Sequence, residues 1–128
     1  MARFSGISES GGIPQIAKIY PDYNTHNVNE SWNGKHIYFA PTEGNWDAIF
    51  IPDDASLNLP IGFTFTIITD GSYIYLNVND TDLTYLNAVS VPYTTNGYDI
   101  DTNTIVTVIK VDENRWFASG YGITQDIY

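Results

Sequence analysis

The sequence predicts an all-β domain: an antiparallel β-sandwich or jelly-roll-like fold of about eight to ten short strands behind an extended N-terminal arm. Three observations carry that reading. Aromatic residues are plentiful, with ten Tyr, six Phe and three Trp, and Asn, Thr and Asp fill the stretches between them; such a composition favours pleated, half-buried backbone. Apolar segments of strand length recur between Pro, Gly, Asn and Asp, and none carries a useful length of helical periodicity. The β-branched run Thr104-Ile105-Val106-Thr107-Val108-Ile109-Lys110-Val111 breaks at Asp112-Glu113-Asn114 and resumes as Arg115-Trp116-Phe117-Ala118-Ser119 before Gly120, the pattern of a hairpin.

That hairpin is the centre of the reading. Ile105, Thr107, Ile109 and Val111 share one face, while Val106, Val108 and Lys110 share the other. Both faces are largely apolar, so neither reads as a plain solvent face. The strand is central in a sandwich, or its outer face meets another subunit.

The rest of the chain falls into place in order. Residues 1–12, MARFSGISESGG, are small and polar and read as an arm, ordered only on a partner; residues 13–128 read as one domain. Ile13, Gln15, Ala17 and Ile19 fall on one face of a first strand, with Ile16, Lys18 and Tyr20 on the other, and Pro14 restricts it to an edge or a start. Pro21 to Gly34 reads as a loop anchored by Val28 and Trp32. Strands follow at 36–40, 46–51 and 63–69, the last with Phe63, Phe65 and Ile67 facing in. Asp70-Gly71 signals a hairpin into 73–78, whose Ile74, Leu76 and Val78 point inward and Tyr73 and Tyr75 outward. Two further strands lie at 83–86 and 89–91, and Asn96-Gly97 marks a turn before the central hairpin. No internal repeat is visible.

Charge and composition exclude several classes. A net charge of −10 and a pI near 4.1 argue against nucleic acid, whose phosphates need a basic patch. The first 21 residues are the exception, with Arg3 and Lys18 against Glu9. That end can dock on an acidic neighbour, or the placement is chance. With no cysteine there is neither a disulfide framework nor a thiolate metal site. No apolar run reaches membrane-spanning length and the start lacks the apolar segment of a signal peptide, so the expectation is cytoplasmic synthesis with no membrane partner.

Little here points to catalysis. His26 and His36 are too few for a base or metal constellation, and nothing in the sequence pairs them. Asp99-Ile100-Asp101 opens like a calcium loop, but Thr104 stands where the turn glycine belongs and Lys110 where the bidentate Glu belongs, which excludes a helix–loop–helix site. Asp80, Asp82, Asp99 and Asp101 remain weak candidates for a looser metal site, against the alternative of solvated turn carboxylates. No carboxylate pair stands out for glycoside hydrolysis. Neither a catalytic residue nor a cofactor is expected. Tyr73, Tyr75, Tyr85, Tyr93 and Tyr98 are the ligand or receptor candidates, because a ring with a hydrogen-bonding tip suits interfaces and sugar stacking alike.

Two segments bear a resemblance. Ile49-Phe50-Ile51-Pro52-Asp53-Asp54-Ala55, continuing through Pro60-Ile61-Gly62-Phe63-Thr64-Phe65, and later Val106 to Gly120 with Ile109-Lys110-Val111, Asn114, Trp116 and Ser119-Gly120, are similar to patterns in tailed-bacteriophage virion β-domains. The resemblance spans roughly Trp46 to Gly120. It implies a non-enzymatic virion protein, foremost a capsid decoration or cement protein, or else a head or tail fibre module, commonly homotrimeric. The partner would be the major capsid protein or another virion protein, and the location the virion. The short chain fits a small coat protein better than a full fibre. Contacts would be made by Arg3, Phe4, Ile13, Ile16, Ile19, Val106 and Val108. The alternative is a receptor- or carbohydrate-binding module that recognises a host glycan.

Overall fold

The computed structural model describes residues 13–42, 44–78, 83–89, 91–95 and 97–125, with backbone alone for 91–95 and 125. The arm at 1–12, and with it Arg3 and Phe4, lies outside the described residues. The chain is all-β. Twelve strands are present among the described residues: β1 (Ile16–Ile19), β2 (Thr25–Asn27), β3 (His36–Phe39), β4 (Trp46–Ile51), β5 (Thr64–Thr69), β6 (Tyr73–Val78), β7 (Tyr85–Ala88), β8 (Val91–Thr95), β9 (Gly97–Ile100), β10 (Thr104–Asp112), β11 (Arg115–Ser119) and β12 (Ile123–Gln125). The described residues include no helix long and apolar enough to cross a membrane.

The strands form two mixed sheets, a seven-stranded one ordered β1-β3-β5-β10-β11-β7-β8 and a five-stranded one ordered β12-β9-β6-β4-β2. The first six strands alternate between them. β1, β3 and β5 stack in parallel in the long sheet, and β2, β4 and β6 do the same in the short one. Three successive coils of a β-solenoid result. Backbone bonds continue the stacking round the corners, from Tyr23 N to Trp46 O, Ala40 N to Ile19 O and Asp70 N to Phe39 O. Among the described residues, each crossing from the long to the short sheet passes through one residue of positive φ: Tyr23, Gly44 and Gly71. The remaining strands close the sheets in largely antiparallel fashion, with β7 parallel to β11 as the exception.

This corrects two expectations. The sheets are mixed and wound as a solenoid, where an antiparallel sandwich or jelly roll was expected. Asp70-Gly71 does not close a hairpin either, because β5 and β6 lie in different sheets. The turn is a corner, held by Thr102 Oγ1 accepting from Gly71 N at 2.6 Å and by Tyr38 OH donating to Asp70 at 2.5 Å. The local signals are the same in both cases: a glycine at φ 85° reverses the chain whether the next strand pairs with the last or crosses to the other layer.

The strand faces follow the alternation. Inward residues of both sheets meet in one core: Ile37, Phe39, Phe65, Ile67, Val106, Val108, Trp116 and Leu86 from the long sheet, with Ile49, Ile51, Ile74, Leu76, Tyr98 and Ile100 from the short one. Each such side chain stabilises the fold by roughly 1.5–3 kcal/mol relative to exposure. The loop at 21–34 is pinned as expected by Val28 and Trp32, both buried, although it also contains β2 and a 3₁₀ turn at Glu30–Trp32.

The expected hairpin is β10–β11, antiparallel with a bulge between Lys110 and Asp112 and with Asn114 at φ 49° in its turn. Gly120 follows because β10 lies against it: a Cβ there would sit 2.5 Å from Val106 Cγ2 and 2.6 Å from Ile105 O. Facing assignments can be tested by urea denaturation. Phe65→Ala should cost about 3–5 kcal/mol, while Tyr73→Ala on the outer face should stay within about 0.5 kcal/mol.

Candidate functional site

Two outer faces and three buried polar anchors are the places where this fold can do more than hold together. The anchors come first, because they fix the surfaces.

Lys110 is fully buried, and its Nζ donates to Asp54 Oδ1 at 2.7 Å, to Leu59 O at 2.5 Å and to Asn58 Oδ1 at 3.3 Å. Asp54 and Asn114 also clasp each other: Asp54 N donates to Asn114 Oδ1 at 2.6 Å, and Asn114 N to Asp54 Oδ2 at 3.1 Å. The long loop after β4 is thereby tied to the β10–β11 turn. Lys110 sits at the inward position of its strand because three oxygens meet its ammonium there; a buried cation without such partners would be costly.

Asp47, also fully buried, is the second anchor. Its Oδ1 accepts from Asp22 N and Asn24 N, both at 2.9 Å, and its Oδ2 faces His26 Nε2 at 2.5 Å. The sequence offered no sign of this couple, since the two residues meet only because β2 and β4 stack in parallel. Its carboxylate is spent on two backbone amides and one imidazole, which fastens the first coil to the second.

Tyr98 is the third, and it corrects an expectation. Its ring is fully buried, its hydroxyl donates to Leu86 O at 3.3 Å and accepts from Ala88 N at 3.2 Å, and it bridges β9 to β7 across the core. It offers no surface to a receptor. Burial raises its pKa above the usual value, only partly offset by the Ala88 amide.

The other tyrosines divide between two faces. Tyr73 and the half-buried Tyr75 lie on the outer face of the short sheet. Tyr85 lies on the outer face of the long sheet, with the Arg115 guanidinium 5.9 Å from its ring centroid. The structure therefore does not bring the candidate tyrosines into one site. Tyr93 lies in β8, whose side chains are outside the described residues.

The interface candidates also separate. Ile13 and Ile16 are exposed, but Ile19 packs against the core. Val106 and Val108 are completely buried and have nothing to present to a neighbour. The exposed side of that strand is the opposite one, where Ile105, Ile109 and Val111 are 62%, 40% and 43% accessible. Alternation along β10 forces the choice, and the inward-facing Lys110 hid it, because a charged residue reads as solvent-facing in sequence.

Among the acids, Asp99 and Asp101 line an open pocket of about 290 Å³ with Tyr73, Ile74, Tyr75 and Thr124. Asp80 and Asp82 lie outside the described residues. No group of three or more His, Cys, Asp or Glu side chains among the described residues is placed to hold a metal ion.

Because Tyr98 is a neutral buried phenol with a raised pKa, it contributes stability that is complete below the unfolded-state pKa of 10.0 and is lost as pH rises towards the higher folded value. Thermal melts should show a loss of stability setting in above that pH. Tyr98→Phe should remove the Tyr98 part of that loss and lower stability at neutral pH by about 1–3 kcal/mol, since Ala88 N and Leu86 O lose their partner.

No protein-family model, curated protein or solved structure matches this chain.

Proposed function

We propose that the chain is a non-enzymatic surface protein of a tailed-phage virion that works by adhesion, burying the outer apolar face of its long sheet against a neighbouring subunit, a second copy foremost. The supporting observation is β10: one face lies wholly inside the core, and the other exposes Ile105, Ile109 and Val111. Ile105 stands beside Ile68 and Ile109 beside Phe117 in register, so the exposed residues join a wider apolar surface across β5, β10 and β11. Clustered large apolar residues on an outer sheet face are characteristic of association surfaces. The virion setting and the trimeric count rest on the resemblance of Trp46 to Gly120 to phage virion β-domains.

Decoration and cement functions suit this design. Each contact need contribute only a few kcal/mol when a repeated shell presents many of them. The exposed Ile13 and Ile16, at the outer edge of the long sheet, extend the surface available to a partner.

Sedimentation equilibrium tests the reading. The wild-type chain should form a concentration-dependent oligomer, and the triple variant Ile105→Ser, Ile109→Ser, Val111→Ser should sediment as a monomer with an unchanged circular dichroism spectrum. A monomeric wild type, or an oligomer untouched by the triple variant, would overturn assembly through this face.

A further inference from the structure

The opposite surface of the molecule carries a different set of residues. On the outer face of the short sheet, Trp46 stands beside Tyr73 in register, Ala48 beside Tyr75, Tyr75 beside Asp99 and Asp99 beside Thr124. Tyr23, at the corner before β2, meets Trp46 edge to face with ring centroids 5.6 Å apart, and Trp46 meets Tyr75 in the same way at 5.5 Å. These rings are not hidden: Tyr23, Trp46 and Tyr73 are 56%, 38% and 57% accessible. The other two tryptophans of the chain, Trp32 and Trp116, are buried in the core. The pocket lined by Tyr73, Tyr75, Asp99 and Asp101 opens beside them.

We propose that this face binds a neutral saccharide chain, with sugar rings stacked against Trp46, Tyr73 and Tyr75 and hydroxyls donating to Asp99 and Asp101. Four features choose that ligand. Large rings left exposed on a sheet surface supply rigid apolar area that fits the C–H faces of a pyranose, and the phenol tips add hydrogen bonds at its edge. Among the described residues, the polar groups of the pocket are two carboxylates, a threonine and two phenols, with no basic side chain among them; carboxylates accept strongly from hydroxyl donors. With a net charge of −10, the protein as a whole repels anionic ligands, which favours a neutral chain over sulfated and uronic-acid polymers. A pocket of about 290 Å³ is at the low end for small-ligand clefts and suits one or two sugar units of a chain that continues over the neighbouring rings. Since this surface faces away from Ile105 and Ile109, a subunit bound on the long sheet leaves it open.

Tryptophan fluorescence tests this directly, because Trp46 is the exposed one of the three. The full chain would be titrated separately with neutral hexasaccharides of glucose, galactose, mannose and N-acetylglucosamine, and with tetramethylammonium as a cationic control. At least one hexasaccharide should shift the emission to the blue and protect Trp46 from acrylamide, with an affinity of about 1 mM or tighter. Tyr73→Ala and Tyr75→Ala should each abolish the shift, and Asp101→Asn should weaken it about tenfold. The triple serine variant of the long sheet should bind as the wild type does, which separates this site from the association surface. The proposal is overturned if no hexasaccharide binds, if tetramethylammonium alone produces the shift, or if binding survives both tyrosine substitutions.

Discussion

The architecture depends on the ladder between β5 and β10. On one side of it lie the parallel coils β1 to β6; on the other lies the largely antiparallel closure of β7 to β12. β10 is the longest strand, pairs with β5 from Thr104 to Ile109 and with β11 along its other edge, and so joins both halves into a single sheet. A solenoid has an open end at its last coil, where unpaired strand edges invite aggregation. Here β10 covers the β5 end and β9 covers the β6 end, so both edges of that last coil are paired within the chain.

The same ladder dictates which surfaces remain. Placing Val106 and Val108 in the core commits Ile105, Ile109 and Val111 to the outside, because alternate side chains of a strand cannot share a face. The short sheet repeats the rule: with Ile74 and Leu76 inside, Tyr73 and Tyr75 must lie outside. The molecule therefore presents, on opposite sides of one core, an outer face with exposed aliphatic side chains along β10 and an outer face on which Trp46, Tyr73 and Tyr75 gather. Aliphatic surface lacks directional groups and suits packing against another protein; aromatic surface beside carboxylates suits a ligand that brings hydroxyls.

Buried polar groups secure the crossings and the contact between the two sheets. Asp47 ties the first corner to the second coil, Lys110 and Asp54 hold the loop after β4 on the β10–β11 turn, and Tyr98 links the two sheets. Each replaces water with a defined set of partners, so each specifies one arrangement of loops that hydrophobic burial alone would leave open. The two outer faces inherit their positions from these anchors. Trp46 precedes Asp47, and Val111 follows Lys110.

Alternation and turn chemistry made much of this legible from the amino acids alone. The spans of β4 and β6, the inward faces of β5 and β6, the β10–β11 hairpin and the anchoring by Val28 and Trp32 all follow from periodicity and from local Gly, Pro and Asn signals. Three short strands, β2, β9 and β12, escaped because glycine and turn-forming residues crowd them. Pairing between successive coils was not legible. Parallel neighbours such as β1 and β3, or β4 and β6, are separated by a full coil, so no turn residue records which strand lies beside which. For the same reason the His26–Asp47 couple, the burial of Tyr98 and the meeting of Trp46 with Tyr75 could be decided only by the tertiary structure. Local sequence sets the strand and its two faces; long-range stacking of the coils decides which face is buried and which residues become neighbours.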